Sequence, residues 1–92
     1  MVTAIVFVQT EVDAIPAAAQ ALADIDGVSE VYSVTGAIDL IVMVRVPSID
    51  DIASVVTEHV NVVPGVLSTE THVAFRAYSR HDLEAAFSLG LA

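Results

Sequence analysis

Two runs of this sequence are apolar at nearly every position: V-T-A-I-V-F-V-Q at residues 2–9 and L-I-V-M-V-R-V at Leu40–Val46. Short, β-branched runs of this kind are typical of central β-strands, whose two faces are both covered. The runs also belong to an internal repeat, because D-G-V at residues 26–28 is echoed by P-G-V at residues 64–66. The chain is therefore predicted to contain two β-α-β units with right-handed crossovers, and their first strands lie at the sheet centre.

Helical patterns follow each apolar run. Asp13 is predicted to cap a first helix that carries Pro16 in its first turn. Ser48, with Asp51 three residues later, has the spacing of a capping box for a second helix. The apolar stripes repeat at helical spacing and consist of Ile15, Ala18, Leu22 and Ile25 in the first helix, and of Ile52, Val55, Val56 and Val60 in the second.

The remaining segments complete a β-α-β-β-α-β order. Residues 28–35 are predicted to form a second strand, with Val28, Glu30, Tyr32 and Val34 on one face, and residues 66–79 form a long fourth strand. A short terminal helix is predicted at residues 81–89. We therefore predict one domain over residues 1–92 of α+β class: a ferredoxin-like sandwich in which two helices cover one face of a four-stranded antiparallel sheet.

The uncovered face of that sheet predicts self-association. The sequence is 55% hydrophobic and only 16% charged, which is more apolar material than a chain of 92 residues can bury alone. Two helices leave one face of the aliphatic central strands open, so we expect the domain to dimerise through the sheet. The alternative is that the terminal helix, with Leu83, Phe87 and Leu89, folds over this face within one chain.

Charge and composition exclude several classes of partner. Twelve acidic residues stand against three arginines, Arg45, Arg76 and Arg80, for a net charge of −9. Direct binding to nucleic acid or to an anionic membrane needs clustered cations, which this chain lacks. There is no cysteine, no apolar stretch long enough to span a membrane, and no signal-peptide pattern at the start. We expect a cytoplasmic protein.

Catalytic and metal-binding motifs are not recognisable. His59, His72 and His81 occur singly, and the four glycines are scattered rather than gathered in a phosphate-binding loop. Glu70 and His72 share a strand face, which suits a two-ligand metal site, but an exposed polar pair is the commoner outcome of this pattern. We therefore predict a protein that is not an enzyme and has no cofactor, no metal and no catalytic residue.

The connection between the second and third strands is the most informative polar segment. It reads V-T-G-A-I-D at residues 34–39. One interpretation is a plain turn, in which Gly36 takes positive φ and Asp39 bonds nearby backbone. The other is a polar niche, in which Asp39 accepts a ligand ammonium while turn N–H groups donate to the ligand carboxylate. Thr69 and Thr71 present two hydroxyls on one face of the fourth strand and are relevant if a partner places them opposite this turn.

The two motifs together resemble a known family. The run E-V-Y-S-V-T-G-A-I-D-L-I-V-M-V-R-V-P at residues 30–47, followed by V-P-G-V-L-S-T-E-T-H-V at residues 63–73, resembles the C-terminal amino-acid-sensing (RAM) domain of Lrp/AsnC regulators. The resemblance implies the same βαββαβ sandwich, pairing sheet against sheet, and rings such as octamers or decamers. It also implies that small effectors, usually amino acids, bind between dimers.

Carried over residue by residue, the resemblance implies an effector site shared between subunits. The turn supplies Thr35, Gly36, Ala37 and Asp39, and a neighbouring subunit supplies Thr69 and Thr71, with Ser68 as a weaker addition. Family members also carry a DNA-binding helix-turn-helix domain that this sequence lacks. The resemblance therefore implies a stand-alone sensing module that binds a metabolite or co-assembles with full-length regulators.

Three alternatives remain open at this stage. The chain could be a small dimeric ferredoxin-like enzyme of the oxygenase type, which needs a cavity with a convergent histidine or aspartate. It could be a structural assembly domain without a ligand. It could also be an amino-acid-binding ACT domain, which has the same strand order, and fold alone does not separate these functions.

Overall fold

The four strands form one antiparallel sheet in the order β2-β3-β1-β4. In this computed structural model, which describes residues 1–80, the strands are β1 (Val2–Thr10), β2 (Val28–Ser33), β3 (Leu40–Val46) and β4 (Val66–Ala74). The two central strands are β1 and β3, as the sequence predicts, and the chain has the ferredoxin-like α+β fold. The terminal helix predicted at residues 81–89 lies outside the described residues.

Two helices cover one face of the sheet. They are α1 (Ile15–Ala23), which packs mainly on β2 and β3, and α2 (Ile49–Ser54), which packs mainly on β3 and β1. Both predicted stripes face the sheet. The core between the layers is almost entirely aliphatic, and its members are Ala4, Val6, Val8, Ala18, Leu22, Leu40, Val42, Val44, Val46, Ile52, Val55, Val56, Val60 and Val63.

The predicted cap of α2 is confirmed, whereas that of α1 is wrong. The Ser48 hydroxyl accepts a hydrogen bond from the Asp51 backbone N–H at 3.3 Å and donates one to the Asp51 carboxylate at 2.9 Å. Asp13 instead lies inside a 3-10 turn, Val12–Ala14, and α1 begins after Ala14 without a side-chain cap. Pro16 has no N–H, so one of the two donors that an Asp13 cap would need is missing.

The second helix begins as an α-helix and continues as a π-helix. After Ser54 the chain continues as a π-helical segment, Val55–Val60, and the Asn61 N–H bonds the carbonyl of Val56 at 2.9 Å, five residues back. Wide turns of this kind are rare, and the apolar spacing of the sequence does not distinguish them from a regular helix. The widened turn still places Val55, Val56 and Val60 in the core.

A β-bulge in β2 makes the predicted assignment of its side chains to the two sheet faces wrong at Val28. Val28 pairs with β3 opposite Val44, but Glu30 pairs opposite the preceding residue of β3, so Ser29 is an extra residue in the ladder. Val28 and Glu30 therefore lie on opposite faces, although the sequence pattern put them on the same one. Glu30 and Tyr32 face away from the helices.

The fourth strand ends at Ala74, so the prediction that it extends to residue 79 is wrong. Ala74 pairs with Thr3, and only one residue of β1, Val2, lies beyond this point. Phe75 and Tyr78 follow in irregular structure and are almost fully exposed.

The face of the sheet opposite the helices, here called the open face, has an apolar centre. Ile5 and Phe7 of β1 and Ile41 and Met43 of β3 alternate with the buried core residues of the same strands and are half-buried. No element within residues 1–80 covers them. Within the described residues the sheet face is therefore uncovered, as predicted, and the terminal helix that was the alternative cover lies outside them.

Candidate functional site

The turn that joins β2 to β3 has the backbone geometry predicted from its glycine. The Val34 N–H bonds the Asp39 carbonyl at 3.1 Å, and the Asp39 N–H bonds the Val8 carbonyl at 3.0 Å, so both ends of the turn are fixed to the sheet. Gly36, between them, has φ of +110°. Residues that carry a side chain rarely adopt a positive φ of this size, which accounts for glycine at this position.

Asp39 holds the turn against the end of β1. Its Oδ2 atom accepts a hydrogen bond from the backbone N–H of Thr10 at 2.9 Å. Next to it, the buried Thr10 hydroxyl has no hydrogen-bond partner within residues 1–80. One carboxylate oxygen of Asp39 therefore accepts a hydrogen bond from nearby backbone, as the plain-turn interpretation predicts. The contact of Asp39 with a ligand ammonium remains a prediction.

Gln9 connects the turn to β4, a link that sequence reasoning missed. The Gln9 side-chain amide donates to the Ala37 carbonyl at 3.0 Å, and its oxygen accepts from the Ser68 hydroxyl at 3.0 Å. The only signal for this link in the sequence is the residue type of Gln9. It is polar, whereas Ile5 and Phe7, which precede it on the same face of β1, are apolar. Ser68 and Ala37, both predicted site residues, are thereby brought together within one chain.

A cleft of about 290 Å³ lies on the open face between this turn and the start of β4. We call it the turn–β4 cleft. Its lining consists of Phe7, Gln9, Ile38, Ser68, Thr69 and Glu70. Within residues 1–80, the backbone N–H groups of Gly36, Ala37 and Ile38 donate no hydrogen bond. Of these three residues, Ile38 lines the cleft, and Gly36 and Ala37 directly precede it in the turn.

Thr69 and Thr71 do not join Ser68 on the open face. They pair with Val8 and Val6, whose side chains point toward the helices, so both hydroxyls lie on the helix side of β4. The Thr69 hydroxyl donates to the Asn61 side-chain oxygen at 2.7 Å. As predicted, the two threonines share a face, but it is the face opposite to that of Ser68, and Thr35 lies exposed in the turn.

The Glu70–His72 pair is the exposed polar pair that the sequence made the commoner expectation. His72 Nε2 and Glu70 Oε2 are 2.8 Å apart, and the His72 ring packs against Phe7 at a centroid distance of 5.2 Å. Within residues 1–80, no group of three or more histidine and acidic side chains is placed to hold a metal ion.

A second polar network occupies the opposite edge of the open face. Arg45 donates to the Ser29 hydroxyl at 2.7 Å and to the Glu30 carboxylate at 3.1 Å, and the Tyr32 hydroxyl donates to Glu30 at 2.6 Å. These bonds lower the pKa of Glu30, the one from Tyr32 most strongly and that from Arg45 next. The same bond to Glu30 raises the pKa of the Tyr32 hydroxyl.

Neither described histidine lies in a buried catalytic setting. His59 is exposed on the π-helical segment, and His72 is exposed on β4. The feature that the enzyme alternative requires, a buried pocket around one of these histidines, is not found among residues 1–80. No helix in this part of the chain is long and apolar enough to cross a membrane.

The sequence profile of the Lrp/AsnC ligand-binding domain family matches residues 3–83, which is most of the chain. The chain belongs to the Lrp/AsnC ligand-binding domain family. A comparison with curated proteins finds no match. The resemblance read from the two motifs is therefore confirmed over nearly the whole sequence.

Solved structures agree with this membership. A protein of Thermus thermophilus, TTHA0845, is 41% identical, with a TM-score of 0.82 over 87% of this chain and 100% of its own. Escherichia coli AsnC is 24% identical, with a TM-score of 0.79 over 85% of this chain and 53% of its own. The Neisseria meningitidis transcriptional regulator NMB0573, solved as a complex with L-Met, is 15% identical, with a TM-score of 0.76 over 86% of this chain and 53% of its own. The last two show the fold alone.

Proposed function

We propose that this chain is an effector-binding and assembly module, which binds a small amino acid or a related metabolite in the turn–β4 cleft. The observation that carries the proposal is a turn with three successive unpaired N–H groups, on Gly36, Ala37 and Ile38, of which Ile38 lines a cleft of about 290 Å³. Successive free backbone N–H groups are a ready site for an anion such as a carboxylate. An amino acid offers that carboxylate together with an ammonium.

Family membership supports this proposal. The chain belongs to a ligand-binding domain family, and one structural neighbour, the regulator NMB0573, was solved with L-Met. Because that neighbour is only 15% identical, it supports the class of ligand and not its identity. The lack of a buried histidine or of a three-ligand metal cluster within residues 1–80 favours binding over the small-enzyme alternative.

A second copy of the chain completes the site in this proposal. The hydroxyls of Thr69 and Thr71 lie on the helix side of β4, opposite to the open face, and the Thr69 hydroxyl is bonded to Asn61. Placed against a neighbour, Thr71 is available to close that neighbour's site beside Thr35 and Gly36, and Thr69 joins it by exchanging its bond to Asn61. A ring of dimers, such as an octamer or decamer, repeats this contact and can admit full-length Lrp/AsnC regulators as further partners.

The open face is the surface through which two copies pair. Its apolar centre is flanked by charges of both signs, Arg45 and Glu30 at one edge and Glu70 near the other, so two copies can meet without uniform repulsion. The helical layer lacks charges of both signs. Its charged side chains, His59 apart, are all acidic, namely Asp13 of the 3-10 turn, Asp50, Asp51 and Glu58.

Sedimentation of matched variants tests the pairing. Ile41→Asp places a charge at the centre of the open face, and we expect it to convert the assembly to monomers or to smaller units. Ile49→Asp makes the same replacement at a side chain that is 63% exposed on the helical layer and should leave assembly unchanged. A wild-type chain that is monomeric at micromolar concentration would refute pairing through the sheet.

Calorimetry against the twenty amino acids tests the binding. Gln9→Leu removes the two hydrogen bonds that hold Ala37 and Ser68 together, and we expect affinity for the best ligand to fall by roughly tenfold. Gln20→Leu is the matched control, because Gln20 is an exposed glutamine on α1, away from the cleft. If no amino acid binds at millimolar concentration, the effector proposal is wrong; ring assembly without a ligand would then favour the structural alternative.

A further inference from the structure

The turn–β4 cleft contains one charged side chain, and it is negative. Of the six lining residues, only Glu70 has an acidic or basic side chain, and none of the three arginines contributes to the lining. One oxygen of its carboxylate contacts His72, and the other has no partner within residues 1–80. The Glu70 side chain is 71% exposed in the single chain and lies near the edge of the open face.

Arg45 and Arg76 line a separate depression of the open face, with Thr3, Ile5 and Met43, and neither lines the cleft. Arg45 pairs opposite Thr3 on β1, four residues from Phe7 of the cleft. At about 3.3 Å per residue, this places the backbone of Arg45 roughly 13 Å along the strands from the cleft. Screening in physiological salt acts over about 8 Å, so little of the arginine charge is felt there. Arg45 is also already bonded to Glu30.

We propose that Glu70 sets the charge class of the effector: the cleft accepts ligands with a cationic or neutral side chain and discriminates against dicarboxylic amino acids. This rests on the proposed function, since it concerns the same cleft. The unpaired N–H groups of the turn receive the ligand carboxylate, and Glu70 across the cleft receives the ammonium or a basic side chain. A second ligand carboxylate finds no positive side chain in the lining and is repelled by Glu70.

The proposal assigns to Glu70 the role that the sequence suggests for Asp39. An oxygen of Asp39 is already bonded to the Thr10 N–H, whereas the Glu70 carboxylate extends into solvent at the cleft wall. Exposed charge pairs contribute modestly, so Glu70 should account for about a two- to fivefold preference in affinity. The preference is a ratio between ligands and is therefore insensitive to general changes in stability.

The test measures the affinities of lysine, glutamine and glutamate for the full chain by calorimetry. Glutamine and glutamate have nearly the same shape, so their affinity ratio isolates the charge. We expect wild type to bind lysine and glutamine more tightly than glutamate, and Glu70→Gln to reduce the ratio to about one. Glu58→Gln, which removes the same charge on the outer helical layer, should leave the ratio unchanged.

Two results overturn the proposal separately from the proposed function. If glutamate binds wild type as tightly as glutamine, an effector site exists but Glu70 does not select its charge. If Asp39→Asn abolishes the discrimination and Glu70→Gln does not, the selecting carboxylate is Asp39. If no amino acid at all binds at millimolar concentration, the proposed function itself fails, and this inference fails with it.

Discussion

Replacing Gly65 by alanine tests how closely the start of β4 packs on the start of the helical layer. Gly65 has φ of +91°, and a Cβ atom added there would lie 2.5 Å from the Cβ of Ala14. The strained φ costs about 1–3 kcal/mol, and forcing extra volume into a packed site costs about 1–3 kcal/mol more. We therefore expect Gly65→Ala to lower the free energy of unfolding by roughly 2–6 kcal/mol.

Gly36→Ala is the matched control, because it carries the cost of the strained φ but not the cost of added volume. Gly36 has φ of +110°, but an added Cβ would meet no atom within 4 Å. The expected loss is about 1–3 kcal/mol. Urea unfolding followed by circular dichroism measures both variants, at one protein concentration because a self-associating protein changes stability with concentration.

A double-mutant cycle isolates the contact between the two residues. Ala14→Gly removes the atom with which the new Cβ would overlap, at a cost of about 0.5–1 kcal/mol for the added glycine. The double variant Ala14→Gly, Gly65→Ala should therefore be more stable than the sum of the single losses predicts, by about 1–3 kcal/mol. Additive losses, or a Gly65→Ala variant as stable as Gly36→Ala, would refute the close packing.

Three further substitutions test separate parts of the structure. Ser48→Ala removes the cap that bonds the Asp51 N–H and should cost about 1 kcal/mol in urea unfolding; an unchanged midpoint would contradict the cap. Leu22→Ala empties a fully buried position and should cost about 2–5 kcal/mol, and a much smaller loss would show that α1 is not packed on the sheet as described. Tyr32→Phe removes the strongest cause of the lowered pKa of Glu30, so that pKa should rise in a carboxyl NMR titration. Because the folded pKa is lowered, the stabilising contribution of Glu30 is present above its unfolded pKa and is lost as the pH falls through the folded one.

The central elements of the fold could be predicted because their signals are local. The bounds of β3 follow from a continuous apolar run, the Ser48 cap from capping chemistry, and the buried stripes from helical spacing. The bulge at Ser29 and the early end of β4 are different, because each depends on how a strand meets its neighbour. Only Val2 of β1 lies beyond the last pair of this ladder, so a strand that continued through Phe75 toward residue 79 would soon have no neighbour to pair with.

The candidate site was only partly predictable for the same reason. The positive φ of Gly36 could be expected from residue type, and the turn motif drew attention to Ala37 and Asp39. The bridge from Ala37 through Gln9 to Ser68 could not, because Ser68 and Gln9 are far apart in the sequence and meet only through the pairing of β1 with β4. The face of a strand that each hydroxyl occupies is set by that register.

The helical layer packs mainly on β1, β2 and β3, and it meets β4 through the bond of Thr69 to Asn61. Within residues 1–80, β4 pairs with β1 along one edge only, while Glu70 points from one of its faces and Thr71 from the other. Two different neighbours can therefore touch adjacent residues of the same backbone from opposite directions. In the proposed assembly, a displacement of the strand by one neighbour would therefore reach the other across the thickness of one peptide chain, without passing through the core.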